Sequence, residues 1–246
     1  MGNYKKVDLH WAREKIRSGK TIKSIALELG ISRVTLGYKL KNAGTPLRSV
    51  KFDERFFHVI ISEAQAYWLG FIMADGCVSL THSPKVVIKL KKEDRSHLEK
   101  WHESINSCLK VCDSGVGVQS QHYSKQMCQD LVFHGCTPRK SLSLVFPRIT
   151  NELIPHFVRG YFDGDGCANM RKHQKKPQLR LSFVGTEDFL SQLQSIIGTS
   201  NKLGKAGRAK SLEVSGNIKA GNIAKWMYKD ATIFLNRKME ICRAYL

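Results

Sequence analysis

Apolar and polar positions recur with two different periods, and these divide the chain into unlike parts. Within the first 45 residues the spacing is helical. Ile22, Ile25, Ala26 and Leu29 share a face of a segment that Thr21 caps and Gly30 stops. Ser32 then caps a second short helix reaching Leu40, with Val34, Leu36 and Leu40 as its apolar positions. Small Ala26 and Gly30 let the two helices cross closely around a tight turn, the pattern of a helix-turn-helix. Gly44 and Pro46 break the second helix, and residues 46–60 read as a linker that becomes a short docking segment.

Beyond residue 60 the pattern mixes periods and then repeats. Residues 86–91 alternate apolar and basic as a strand with one wet face would, 94–107 read as a helix, and 109–118 and 129–134 read as strands. The order recurs with a strictly alternating strand at 178–183, a helix at 186–197, strands near 202–208 and 211–214, and a helix at 219–228. Each half therefore reads as helix, strands, helix, strands, helix. Crossovers alternating with hairpins exclude a single parallel sheet and predict an α+β fold. The expected organisation is a helical domain at 1–45, a linker at 46–60, and two related halves at 61–150 and 151–246.

The first helix of each half carries nearly the same words. Gly70-Phe71-Ile72-Met73-Ala74-Asp75-Gly76-Cys77 is echoed by Gly160-Tyr161-Phe162-Asp163-Gly164-Asp165-Gly166-Cys167, displaced by 90 residues. Gly70 and Ala74 are four apart, as are Gly160 and Gly164, so each helix has one face without bulk. Two such helices can approach almost backbone to backbone, where larger residues would hold them roughly 8–10 Å apart. Asp75 and Asp165 fall at the C-terminal ends. The helix dipole does not stabilise an acid there, but a cation can be held. Carboxylates and free terminal carbonyls are the hard oxygen ligands Mg²⁺ prefers. The bland alternative is a glycine-rich helix pair whose acids merely cap a turn. A second repeat accompanies the first. Arg139-Lys140 and Arg237-Lys238 lie 65 and 73 residues after the two acids, counted to the lysines, and each precedes what reads as the last helix of its half.

Charge narrows the partner. Forty Lys and Arg against 21 Asp and Glu give a formal charge of +19, which suits a long polyanion. Residues 1–50 alone hold eleven basic residues against three acids. On the second short helix Arg33, Thr35, Tyr38 and Lys39 can face DNA. No stretch approaches the roughly 20 apolar residues of a membrane span, so the chain reads as soluble and intracellular (cytoplasmic, or nucleoid-associated if microbial or phage-borne). The seven cysteines lack the tight CxxC pairs of a zinc site and read as reduced, mostly buried thiols.

The two motifs, with strands and a recurring Arg-Lys after each, resemble the LAGLIDADG homing endonucleases in their single-chain, two-motif form, over residues 60–246. The resemblance implies a pseudo-twofold αββαββα duplication with antiparallel saddle sheets. It implies a monomer that hydrolyses one phosphodiester on each strand of a long asymmetric double-stranded DNA target with Mg²⁺ or Mn²⁺. It assigns the metals to Asp75 and Asp165, assisted by the carbonyls of Ala74 and Gly164, and a supporting basic role to Lys140 and Lys238. It places strand residues Lys85, Lys89, Lys91, Arg171, Lys175 and Arg180 in the major groove, most of them on phosphates. The family often has an acid two positions before the metal-binding Asp. Asp163 fits that pattern and Met73 departs from it. A non-cleaving DNA-binding regulator and an intron RNA maturase are the alternatives on the same fold.

Overall fold

The computed structural model describes residues 7–18, 20–44, 51–140, 143–173 and 176–246, and the chain divides into two compact units that meet between Lys51 and Phe52. The first unit is three helices, α1 (Leu9–Arg17), α2 (Ile22–Glu28) and α3 (Arg33–Asn42). Their starts are set locally: the side chains of Asp8, Thr21 and Ser32 accept from the amides of Trp11, Ser24 and Thr35. Such caps contribute about 1 kcal/mol each. Gly30, at φ 62°, makes the left-handed turn between α2 and α3. Ala12, Ile16, Ile25, Ala26, Leu36 and Leu40 form the core of this unit. Val34 does not join them, contrary to the sequence expectation. It is 81% exposed, because helical spacing from Leu36 and Leu40 puts it on the opposite face.

The second unit is a duplicated α+β body. Its first half runs α4 (Glu63–Asp75), β1 (Cys77–Ser79), β2 (Lys85–Lys91), α5 (Arg95–Ser104), β3 (Cys112–Ser114), β4 (Gly117–Tyr123) and α6 (Lys125–Phe133). Its second half runs α7 (Ile154–Asp165), β5 (Cys167–His173), β6 (Lys176–Gly185), α8 (Glu187–Ile197), β7 (Gly204–Ala206), β8 (Ala209–Ser215), α9 (Asn217–Tyr228) and α10 (Asn236–Cys242). Each half folds one antiparallel four-stranded sheet, in the orders β1-β2-β4-β3 and β5-β6-β8-β7. The matching orders make the halves topological copies.

Several local expectations change. Residues 129–134 are not a strand but belong to α6, which Ser124 caps and whose Met127, Cys128 and Leu131 turn inward at helical spacing. The strands β1 and β5 and the helix α1 carried too little periodic alternation to be anticipated. Phe52, Phe56, Phe57 and Ile60, inside the segment read as a linker, are buried in the core of the body. Phe57 stacks on Trp101, with centroids 5.9 Å apart. Four of the seven cysteines (Cys77, Cys108, Cys112 and Cys167) are exposed, which corrects the reading of mostly buried thiols. They lie on outward-facing or loop positions, whereas Cys128 and Cys242 lie on inward helix faces and Cys136 is buried just after α6.

Candidate active site at the helix seam

The site is built on the crossing of α4 and α7. Ser62 and Gln65 form a capping box that starts α4, and Pro155 stands in the first turn of α7. Both helices are buried over most of their length and sit inside the core, with Trp68, Phe71, Ile72, Val158, Tyr161 and Phe162 buried beside the seam. A Cβ at Gly70 would lie 2.1 Å from the carbonyl oxygen of Phe157, and one at Gly160 would lie 1.9 Å from that of Tyr67. A Cβ at Gly164 would lie 2.5 Å from that of Ala74. The small residues therefore bring the two backbones into direct contact, and both helices end at the same place.

Asp75 and Asp165 are the last residues of α4 and α7. Gly76 and Gly166 follow in extended conformation and send the chain into β1 and β5. Their role is spatial rather than conformational: a Cβ at Gly76 would meet Ile72 at 2.7 Å, and one at Gly166 would meet the Phe162 ring at 2.4 Å. Burial and the neighbouring Asp165 carboxylate push Asp75 up to about 6, against the opposing charges of Lys140 and Lys238. Asp165 is likewise raised by burial, with Lys238 and Lys140 pulling the other way. The two acids and the two lysines thus share one electrostatic environment.

The lysines are held by the ends of the Asp-bearing helices. The ammonium of Lys140, half-buried, donates to the carbonyl of Gly76. That of Lys238 donates to the carbonyls of Phe162 (2.6 Å), Asp163 (2.8 Å) and Gly166 (2.6 Å). Gly76 and Gly166 are equivalent positions, so the two lysines are structural counterparts although their surroundings differ. Lys140 follows α6 and Lys238 lies inside α10, which corrects the expectation that each Arg-Lys pair precedes the last helix of its half. Lys238 is 4% exposed, and burial brings its ammonium down to about 8.

The donor set suits a hard divalent cation. Two carboxylates converge, and Ala74 and Gly164 lie in the last turns, where carbonyls lack an amide partner within the helix. Among the described residues there is no cluster of three or more His, Cys, Asp and Glu that can hold a metal. The candidate donors are thus the two carboxylates and the terminal carbonyls, all oxygen, a set compatible with Mg²⁺ if water and phosphate complete the shell.

The sheets flank this centre. Lys85, Lys89 and Lys91 alternate with the inward Val86 and Ile88 along β2, and Lys89 and Lys91 are exposed. Lys85 lies 5.4 Å above the ring of Tyr123. In the other sheet Arg171 is exposed on β5, whereas Arg180 on β6 is ion-paired with Glu213 across the strands and so is partly neutralised. Lys175 lies outside the described residues. In the first unit α3 exposes Arg33, Val34, Thr35 and Tyr38, with Lys39 half-buried.

Sequence reasoning missed a buried polar network along the seam. Arg159, fully buried, donates to Glu63 (2.6 Å) and to the carbonyls of Met227 and Ile233. Asp163, 1% exposed, accepts from Tyr67 (2.8 Å), Tyr228 (3.3 Å) and the amide of Leu235 (2.7 Å). Two charges four apart on an otherwise apolar helix were the available signal, since both must find partners when buried.

No family model matches the sequence, and no curated protein sequence is matched. Solved structures do match. The LAGLIDADG meganuclease I-AabMI bound to uncleaved DNA superposes with a TM-score of 0.53 at 15% identity, covering 75% of this chain and 90% of that one. The I-LtrWI LAGLIDADG homing endonuclease bound to target DNA gives 0.55 at 10% identity, covering 74% and 89%. The I-SmaMI LAGLIDADG homing endonuclease bound to cleaved DNA gives 0.53 at 14% identity, covering 75% and 89%. The chain has the LAGLIDADG homing endonuclease fold.

Proposed function

We propose that the protein is a site-specific endonuclease of double-stranded DNA that hydrolyses one phosphodiester on each strand. The observation that carries this reading is the meeting of Asp75 and Asp165 at the ends of two helices in backbone contact, between two sheets with basic outer positions. Asp75 and Asp165, with the carbonyls of Ala74 and Gly164, would hold Mg²⁺ or Mn²⁺. The metal supplies charge stabilisation at the phosphate and a more acidic bound water. Lys140 and Lys238 fix the helix ends that aim both carboxylates, and their charge favours an anionic phosphate between them. Lys85, Lys89, Lys91 and Arg171 lie on outer strand positions suited to phosphate contact, which sets register on the duplex. The three-helix unit supports a second DNA contact through α3, with Arg33, Thr35 and Lys39, and so acts as a helix-turn-helix. Tethering it raises affinity through effective concentration.

Selection of a bound site from a randomised DNA library, followed by plasmid nicking with Mg²⁺, tests this directly. Wild type should linearise the selected target. The Asp75→Asn/Asp165→Asn variant should bind it equally and leave it intact. A wild type that binds a selected site and never cuts it would return the reading to a DNA-binding regulator, and rescue of intron splicing by the double variant would point to RNA.

A further inference from the structure

The two lysines of the site are supported in unlike ways. Lys238 rides in the first turn of α10, and every residue from 232 to 237 leading into it is tied down. Glu63, at the start of α4, accepts from the Thr232 amide (2.7 Å), the Thr232 hydroxyl (2.8 Å) and the Ile233 amide (3.1 Å). Arg159 donates to the Ile233 carbonyl (2.8 Å). Lys100 on α5 donates to the Phe234 carbonyl (3.1 Å) and the Asn236 side chain (3.2 Å). Asp163 accepts the Leu235 amide, the residue that opens α10, and Asp94 pairs with Arg237 at 3.1 Å. Glu63, Lys100 and Asp94 belong to the first half, so one half holds the lysine of the other.

Lys140 has a different support. It follows Arg139, a non-glycine residue at φ 58°, and among the described residues it holds one carbonyl, that of Gly76, where Lys238 holds three. The position equivalent to Asp163 is Met73, whose terminal methyl lies near Gly135 and whose thioether sulfur is too weak an acceptor to replace a carboxylate on a backbone amide.

We infer that Asp163 is a positioning residue for Lys238, and that the anchored strap at 232–237 makes the two half-sites unequal, with Lys238 preorganised more firmly than its counterpart. This deepens the endonuclease reading and rests on it for the consequence that the two strands are cut at different rates. The physical reason is that a preorganised charge needs no rearrangement when charge develops on the phosphate, whereas an adjustable one must first be brought into place.

The experiment uses the full chain, the selected target with each strand labelled separately, and amide hydrogen exchange without DNA. Asp163→Met, which installs the residue of the first half, should slow cleavage of one strand by about tenfold or more and the other by less than about twofold. The slowed strand should be the one that Lys238→Met slows, and Lys140→Met should slow the opposite strand. Asp163→Asn, which keeps an oxygen acceptor for Leu235, should restore most of the rate. Exchange over 235–242 should rise about tenfold or more in Asp163→Met and stay unchanged around 135–140. Equal slowing of both strands, slowing of the Lys140 strand, or unchanged exchange over 235–242 would overturn the inference. If wild type cuts neither strand while exchange responds as stated, the endonuclease reading fails and the positioning of Lys238 stands.

Discussion

α4 and α7 occupy equivalent places in the two halves, yet they spend their burial differently. Leu69 and Met73 on α4 are apolar. Arg159 and Asp163 replace them on α7 and reach across to Glu63 and Tyr67 of α4. The first half buries its polar groups elsewhere, in histidines. Trp101 donates to Nδ1 of His122 at 3.3 Å, Ser120 bonds Nε2 of His102 at 2.7 Å, and His97 donates to the Tyr67 hydroxyl at 2.9 Å. The duplication kept what geometry forces, namely the glycines and the terminal acids. It diverged where one copy can borrow a partner from the other.

Acid should separate the halves most. Burial holds His97 and His122 at about 3, so both are neutral when folded. A folded value below the unfolded one gives stability that is complete above about pH 6.5 and is lost as pH falls toward 3, on the order of 3 kcal/mol for each group at pH 4. Raised carboxyls such as Asp163 act in the opposite sense. The contribution is therefore read as a difference: urea midpoints of wild type should fall more steeply from pH 7 to pH 4 than those of His97→Gln. Parallel slopes would refute the assignment.

Next in size is Arg159→Leu, which copies the first half into the second. It removes the cation from the Glu63 carboxylate, which keeps only its bonds to Thr232 and Ile233, and takes Arg159 off two carbonyls, and should cost about 3 kcal/mol in denaturant unfolding. Adding Glu63→Gln should recover part of that loss, and simple additivity would deny the pairing.

The glycines of the seam should behave alike in both halves. Gly70→Ala and Gly160→Ala each drive a methyl into backbone of the opposite helix, which cannot turn aside, and should cost about 1–3 kcal/mol. A neutral result in thermal melts at either position would mean the helices separate easily.

The smallest effects belong to the sheets. Lys89→Ala and Arg171→Ala should each weaken DNA binding uniformly across sequences and lower the salt slope by about one. A change of sequence preference at one base would mark that residue as a reader of bases instead.

Much of this was legible in the chain. The motif helices, the caps of the two short helices and the recurring order of elements are carried by spacings within a single element, so Thr21 and Ser32 could be read as caps directly. The 129–134 segment misled because Leu131, Val132 and Phe133 form an apolar run that suits strand or helix, and only the cap at Ser124 decides. The seam network was hidden for another reason. Glu63 and Arg159, or Asp163 and Leu235, are joined by folding rather than by sequence distance, and a single charge on a helix does not announce its partner. The equivalence of Lys140 and Lys238 was visible as a repeat, but not that one sits in a helix and the other after one.

The ammonium groups of Lys140 and Lys238 act as counterions bound covalently to the protein, lying against the oxygen-rich ends of α4 and α7. Two acids placed together would otherwise need a dissolved ion to be tolerated at neutral pH. With the compensation built in, the proposed metal loading would be an event separate from folding. A chelator should abolish cutting while leaving the melting temperature and DNA binding nearly unchanged, unlike a domain whose metal is its core. On the proposed endonuclease reading, the protein can wait on its target fully assembled and begin work only when the ion arrives.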